Sequence, residues 1–354
     1  MITGNENNQR DVDQVAAYRE FAQRTAKGEL LVSPTMLPKQ TRRLHVRRTL
    51  REDHRCRIRD RPEAAQANFV RGYLDGLTEF ARDDSEKSHQ QRLDNSPPMI
   101  AELLESAMQS RKDFLADLID LETGRFLASD EVIPHADEVD RFQQVIDSYR
   151  DKSDIDETGR AGHFIVKDVA LKKGSGTASL GLDRYFVLID GGTDQHTDDI
   201  VLELKQARLS ALHGLVPDDR LSSDEKAERI VASHDIHLAG GDPYYGQTEI
   251  DGVSFLVRER SPYKDDIDVD ALNKKELKAY ARICGRTLAQ PHARSDEDTG
   301  IMDGNAERRI LASINLKLFV VDTVRFAETA SHRIYCDFAL FKKDHSLGAF
   351  QFVE

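Results

Sequence analysis

The chain has 354 residues, 63 acidic against 50 basic side chains, a formal net charge of −13 and 39% hydrophobic residues. That length exceeds one ordinary compact core, so two domains or lobes are expected, and the acidity argues against a protein that binds nucleic acid over its whole surface. No run approaches the roughly 18 apolar residues of a membrane span and the N-terminus has no apolar signal region, so no membrane partner and a cytoplasmic location are expected.

Residues 1–60 read as a poorly defined N-terminal segment, with a short helical pattern over Val12–Ala26, Pro34 and Pro38 as breakers, and an arginine-rich run from Arg42 to Arg61. No aromatic residue is interleaved there to stack bases, so the run reads first as a solvated connector and only second as a nucleic-acid contact. Residues 61–150 read as a helical segment of three helices. Glu63–Ala81 carries Phe69, Tyr73, Leu77 and Phe80 on one face; a second helix starts at Pro98 and runs inward through Leu104, Phe114 and Leu118; Asp137–Tyr149 is the third. The polar stretch Asp83–Ser96 reads as a linker.

The apolar period then changes from helical to strand-like. Residues 163–260 read as a strand lobe: strands Phe164–Leu171, Arg184–Asp190 and Ile200–Lys205, a helix opened by Ser222-Ser223-Asp224-Glu225, and strands Tyr245–Ile250 and Val253–Arg258 joined at Asp251-Gly252. Residues 261–354 read as a C-terminal helical lobe. Its hinge is Ser261–Asp270, its first helix Asn273–Gln290 is limited by Pro291, and further helices are expected around Ala306–Val320 and Asp322–Phe341.

Gly174, Gly176 and Gly181 lie between the first two strands and permit the positive φ and close backbone approach of a phosphate-cradling loop. Lys205 ends the third strand and supplies a fixed cation. Strand, glycine turn, strand, strand with lysine, helix, two strands and hinge is the order of a protein-kinase-like small lobe, in which the loop covers the nucleotide phosphates and the lysine binds them. The expected fold is therefore α+β and protein-kinase-like: a small antiparallel five-stranded lobe with one helix, packed with mainly helical N- and C-terminal segments.

Several further residues carry a chemical and a bland reading side by side. Glu228 and Glu225 can pair with the lysine or be solvated helix charges. His234 and His237 share a helix face, yet no third metal ligand accompanies them. Asp296, Glu297, Asp298 and Asp303 can hold magnesium with a nucleotide or form an exposed acidic loop. His292 and Arg294 can bind phosphate or cap the preceding helix. Cys56, Cys284 and Cys336 are too few and too scattered for a disulfide framework or a C-x-x-C metal site, and read as reduced structural thiols.

The stretches G-T-A-S-L-G-L-D-R-Y-F-V-L, L-E-L-K-Q-A-R-L-S-A-L, A-E-R-I-V-A-S-H, F-L-V-R-E-R-S-P-Y-K-D-D and Y-A-R-I-C-G-R-T-L-A-Q-P-H-A-R-S together resemble the uncharacterised bacterial family known as domain of unknown function 2252. The resemblance runs from about Phe69 to the C-terminus and is strongest over Lys167–Ser295. That family is itself similar to protein kinases and small-molecule kinases, with its halves in permuted order. The resemblance implies that Gly176, Ser179 and Gly181 fall on its glycine loop, Lys205 on its strand lysine, Arg258 on its R-E-L-type strand, and His292 with Arg294 on its H-A-R signature. The family's G-D-x-H-x-x-N-F-G and N-D-F-D-E segments, which would supply catalytic and metal-binding residues, do not occur here. Ala178 and Ala232 also replace a frequent loop glycine and helix glutamate, and Pro291 interrupts the helix before His292. Two expectations follow. One is a kinase-like protein that binds ATP and Mg2+ as a phosphotransferase of unknown substrate; the other is a non-catalytic nucleotide-binding or protein-interaction scaffold.

Overall fold

A computed structural model describes residues 62–153, 155, 164–174, 181–210 and 226–349. Within it, the alternation of apolar residues builds one six-stranded antiparallel sheet. Its strands are β3 (Val132–Pro134), β4 (Val166–Lys172), β5 (Arg184–Ile189), β6 (Ile200–Gln206), β7 (Gly246–Ile250) and β8 (Val253–Glu259), in the spatial order β3-β4-β5-β6-β8-β7. A two-stranded ribbon, β1 (Ile119–Asp120) with β2 (Arg125–Phe126), lies beside it in sequence.

Both faces of the sheet are covered, which is why its central strands β5 and β6 read as nearly continuous apolar runs. On one face Val169, Val187, Leu202, Leu204, Phe255 and Val257 bury against α4 (Val139–Lys152), through Phe142, Val145, Ile146 and Tyr149. On the other, Ala170, Phe186, Leu188 and Val201 bury against Leu115, Ile119 and Phe126. The Asp251-Gly252 turn between β7 and β8 has both residues at positive φ, 52° and 75°, as a tight two-residue hairpin requires.

The five-stranded expectation is corrected to six. The additional strand, β3, is a three-residue edge strand ending in Pro134, paired only with β4. It is too short to show alternation, and proline, lacking an N–H, is accommodated at such an edge. The stretch read as three helices likewise holds more. The second of them divides into α2 (Pro98–Ser106) and α3 (Arg111–Ala116), because the Ser110 side chain accepts from the Asp113 amide and starts a new helix.

The described residues separate into a strand unit, within 90–174 and 182–265, and a helical unit, within 62–89 and 266–349 and including Gly181. The helical unit is built on α1 (Pro62–Asp83) and α6 (Lys274–Ala293). Its core joins Val70, Tyr73, Leu77 and Phe80 to Ala289 and Ala293. Small residues let the two backbones approach closely. A Cβ at Gly72 would collide with the Arg282 carbonyl oxygen, and one at Gly285 with that of Phe69. Asp75 with Arg282 and Glu79 with Arg286 flank the seam as ion pairs.

Pro291 does not limit α6 but lies inside it. It withdraws one amide from the ladder while Arg294 N still bonds the Gln290 carbonyl at 2.9 Å. The last two helices are α7 (Ala306–Ser313) and α8 (Leu316–Ser346), each opened by an asparagine cap, Asn305 and Asn315. No helix among the described residues is long and apolar enough to cross a membrane. Cys284 and Cys336 are free thiols. Val12–Ala26 and the Arg42–Arg61 run lie outside the described residues.

Candidate functional site

The register of β5, β6 and β8 determines which polar side chains meet. Arg184 stands opposite Lys205, which stands opposite Leu256; Phe186 stands opposite Glu203, which stands opposite Arg258. Period-two alternation therefore puts Arg184, Glu203, Lys205 and Arg258 on the same sheet face as Phe186 and Val201. Glu203 is only 1% exposed. Arg258 donates to its Oε2 from Nη2 at 2.6 Å and Nε at 2.8 Å. Arg184 Nη1 lies 3.2 Å from Oε1, and Lys205 Nζ lies 3.7 Å from Oε2.

Burial alone would raise the pKa of Glu203. Lys205, Arg258 and Arg184 outweigh it and hold the carboxyl below its ordinary value. The Arg184 guanidinium is lowered as well, which in its case disfavours the charged form: burial is the main cause, opposed by Glu203 and joined by the neighbouring Arg258 and Arg260. Arg260 also lies over the Phe186 ring, 5.8 Å from its centre. One buried carboxylate thus orients three cations, with a fourth adjoining them. Such a set can hold the planar or tetrahedral oxygens of an anion, phosphate above all.

Of the predicted nucleotide-binding residues, Gly174 and Gly181 adopt the positive φ expected of them, 73° and 72°. Gly176 and Ser179 lie outside the described residues. Lys205 occupies the third strand of the predicted series, β6, as expected. Glu228 is exposed in the first turn of α5 (Lys226–His237). That turn is tied to the sheet through the Ala227 amide, which donates to Ser254 Oγ at 3.1 Å. Glu225 lies outside the described residues. Sequence reading missed Glu203 and Arg184, although the signal was present: a glutamate in the middle of the apolar strand I-V-L-E-L-K is a buried charge in need of partners.

A second polar cluster closes the turn between β5 and β6. Asp199, fully buried, accepts from Lys167 Nζ at 2.6 Å and from the Gly191 amide at 3.1 Å, and its Oδ2 lies 3.0 Å from His196 Nδ1. Each bond ends on the turn itself or on neighbouring β4, so the cluster anchors the loop G-G-T-D-Q-H-T-D-D.

The other candidate residues are engaged structurally. His234 stacks on Tyr245 with ring centres 3.8 Å apart, and its Nε2 lies 3.3 Å from the Asp242 amide, while His237 Nδ1 lies 3.1 Å from Ser233 Oγ. His292 Nδ1 lies 2.9 Å from the Tyr73 hydroxyl, and burial lowers the imidazole's pKa. Arg294 donates to the Lys87 carbonyl at 2.8 Å. Asp296 accepts from the Asp298 and Ala306 amides, both at 3.0 Å; Glu297 accepts from the Gly304 amide; Asp298 pairs with Lys87 at 2.9 Å. The acidic loop is thus a set of caps and an ion pair within the helical unit.

A family model described as an uncharacterized protein conserved in bacteria (DUF2252) matches residues 52–344, most of the chain. No curated protein and no solved structure matches. The chain belongs to that bacterial family.

Proposed function

We propose that this family member binds ATP in a kinase-like manner, with Lys205 and its neighbouring arginines holding the phosphates. The observation that carries this reading is the gathering of Arg184, Lys205 and Arg258 around the single buried Glu203, with Arg260 adjoining. The element order and the positive φ at Gly174 and Gly181 support it. Guanidinium groups fixed on a sheet suit phosphate oxygens because their donors are preorganised before the anion arrives. Glu203 is already bonded to Arg258 and is not open to a metal, so this face fits the phosphates and not magnesium, which would arrive on the nucleotide. If transfer occurs, the chain contributes positioning and charge stabilisation to it.

A second reading is a nucleotide-binding scaffold without turnover. It is favoured by the engagement of Asp296, Glu297 and Asp298 as caps and ion-pair partners. Calorimetric titration of wild type and Lys205→Ala with Mg-ATP tests the first reading. Wild type is expected to bind, and Lys205→Ala at least tenfold more weakly; no binding by wild type contradicts both nucleotide readings. Phosphate release or substrate phosphorylation that the substitution abolishes then selects the enzyme over the scaffold.

A further inference from the structure

The helical unit contains a second charge constellation, of opposite sign, that the nucleotide reading does not use. Glu86 lies in a single 3-10 turn, Ser85–Lys87, just after α1, and Glu307 in the first turn of α7. The first is 1% exposed and the second fully buried. Neither is within ion-pair distance of a cation among the described residues; both oxygens of Glu307 and Oε2 of Glu86 are buried there with no partner at hydrogen-bond geometry, and the Asn305 side chain that adjoins Glu307 offsets only part of its burial. Asp84, exposed at the mouth of the cluster, completes it. One carboxylate oxygen from each of Asp84, Glu86 and Glu307 lies within 4.8 Å of the others. Lys87 is the nearby cation, but it pairs with Asp84 at 3.4 Å and Asp298 at 2.9 Å, not with the two buried acids. Asp296, close enough to act on Glu307, is satisfied by two backbone amides.

Taking carboxylates out of water without a partner is among the costliest arrangements in a protein. An acidic cluster on a surface needs no ligand, but here two members are buried with their acceptor atoms open and converging. Oxygens spaced within 4.8 Å of one another fit around one ion bound at the 2.0–2.6 Å typical of magnesium and calcium. The donor set is all oxygen and all anionic, which selects a hard divalent cation over the softer metals that prefer nitrogen or sulfur.

We infer that Asp84, Glu86 and Glu307 form a binding site for a hard divalent cation, magnesium, calcium or manganese, in the helical unit. Its carboxylates come from the α1 end and from α7, so the ion ties the two helices together as a structural element. The site stands apart from the nucleotide reading, and its test uses the metal alone.

The experiment is an electron paramagnetic resonance titration of chelator-treated full-length protein with MnCl2 near neutral pH and physiological ionic strength, without nucleotide. The expected result is one tightly bound Mn2+ per chain, displaced by MgCl2 or CaCl2. Glu307→Gln is expected to weaken binding at least tenfold, and the exposed Asp84→Asn severalfold. Glu307→Gln removes a buried charge, so its metal-free form should fold, with a melting temperature no lower than wild type; Asp84→Asn gives a second reading at a position that carries no core packing. Failure of wild type to bind Mn2+ above the level of Glu307→Gln, or unchanged binding in both variants, overturns the assignment.

Discussion

Two buried acids of the helical unit, Glu86 and Glu307, are treated differently from Glu203, Asp199 and Asp168 of the strand unit. In the strand unit Glu203 meets Arg184, Arg258 and Lys205, Asp199 meets Lys167, His196 and the Gly191 amide, and Asp168 meets Arg125 and the Phe126 amide. In the helical unit Glu86 and Glu307 are just as buried and have no cation among the described residues. The first arrangement is a finished network, in which removing the anion strands its cations. The second is incomplete as a protein structure and is completed by a proton or a metal ion. The two units should therefore answer the same kind of substitution with opposite signs.

The largest expected effect is Glu203→Ala, which leaves three partly buried cations without their shared carboxylate and should cost about 3 kcal/mol in urea unfolding. Next is Asp199→Asn, which weakens bonds to charged Lys167 and to the Gly191 amide and should cost about 1.5–3 kcal/mol by the same measurement. Glu307→Gln should move the other way in metal-free protein, raising the melting temperature by a few degrees, on the order of 2–4 °C for each kcal/mol. A loss of stability there, comparable to that of Glu203→Ala, would remove the contrast.

pH sharpens it further. Burial raises the Glu86 carboxyl from 4.5 to about 7 and raises that of Glu307 as well. Between those values the metal-free folded state holds more protons than the unfolded chain, so stability falls as pH rises through the window and returns on acidification. Glu203 is lowered instead, so its contribution is present above the ordinary glutamate range and is lost as pH falls through its folded value. Thermal melts of wild type and Glu86→Gln between about pH 5 and 8 should show the Glu86 slope in wild type alone. Added Mn2+ or Ca2+ should flatten it, because a cation that binds only the folded state replaces the proton.

Much of the fold was legible because its signals are local. The alternation over β4 to β8, the Asp251-Gly252 turn, and the helical stripes through Phe80 and Ile146 appear within three residues of where the pattern puts them. The three residues of β3 were too few to show a period. Asn315, which opens α8 as its cap, lay inside an expected helix. Pro291 misled because the packing of α1 on α6 outweighs one missing amide bond. The sites were less legible, since charge pairing is non-local. Glu203 and Arg258 are 55 residues apart, and only the β6–β8 register makes them neighbours. Glu86 sat in a polar stretch that reads as a linker, where nothing in the local pattern marks a buried carboxylate.

The central claim, that the cationic face around Lys205 binds nucleotide phosphates, is tested most directly by calorimetric comparison of adenosine, ADP and ATP on wild type, Lys205→Ala and Arg258→Ala. The account predicts that wild-type affinity rises with each added phosphate and that both substitutions flatten this rise. Equal affinity for all three ligands, or a phosphate dependence that survives both substitutions, would contradict it.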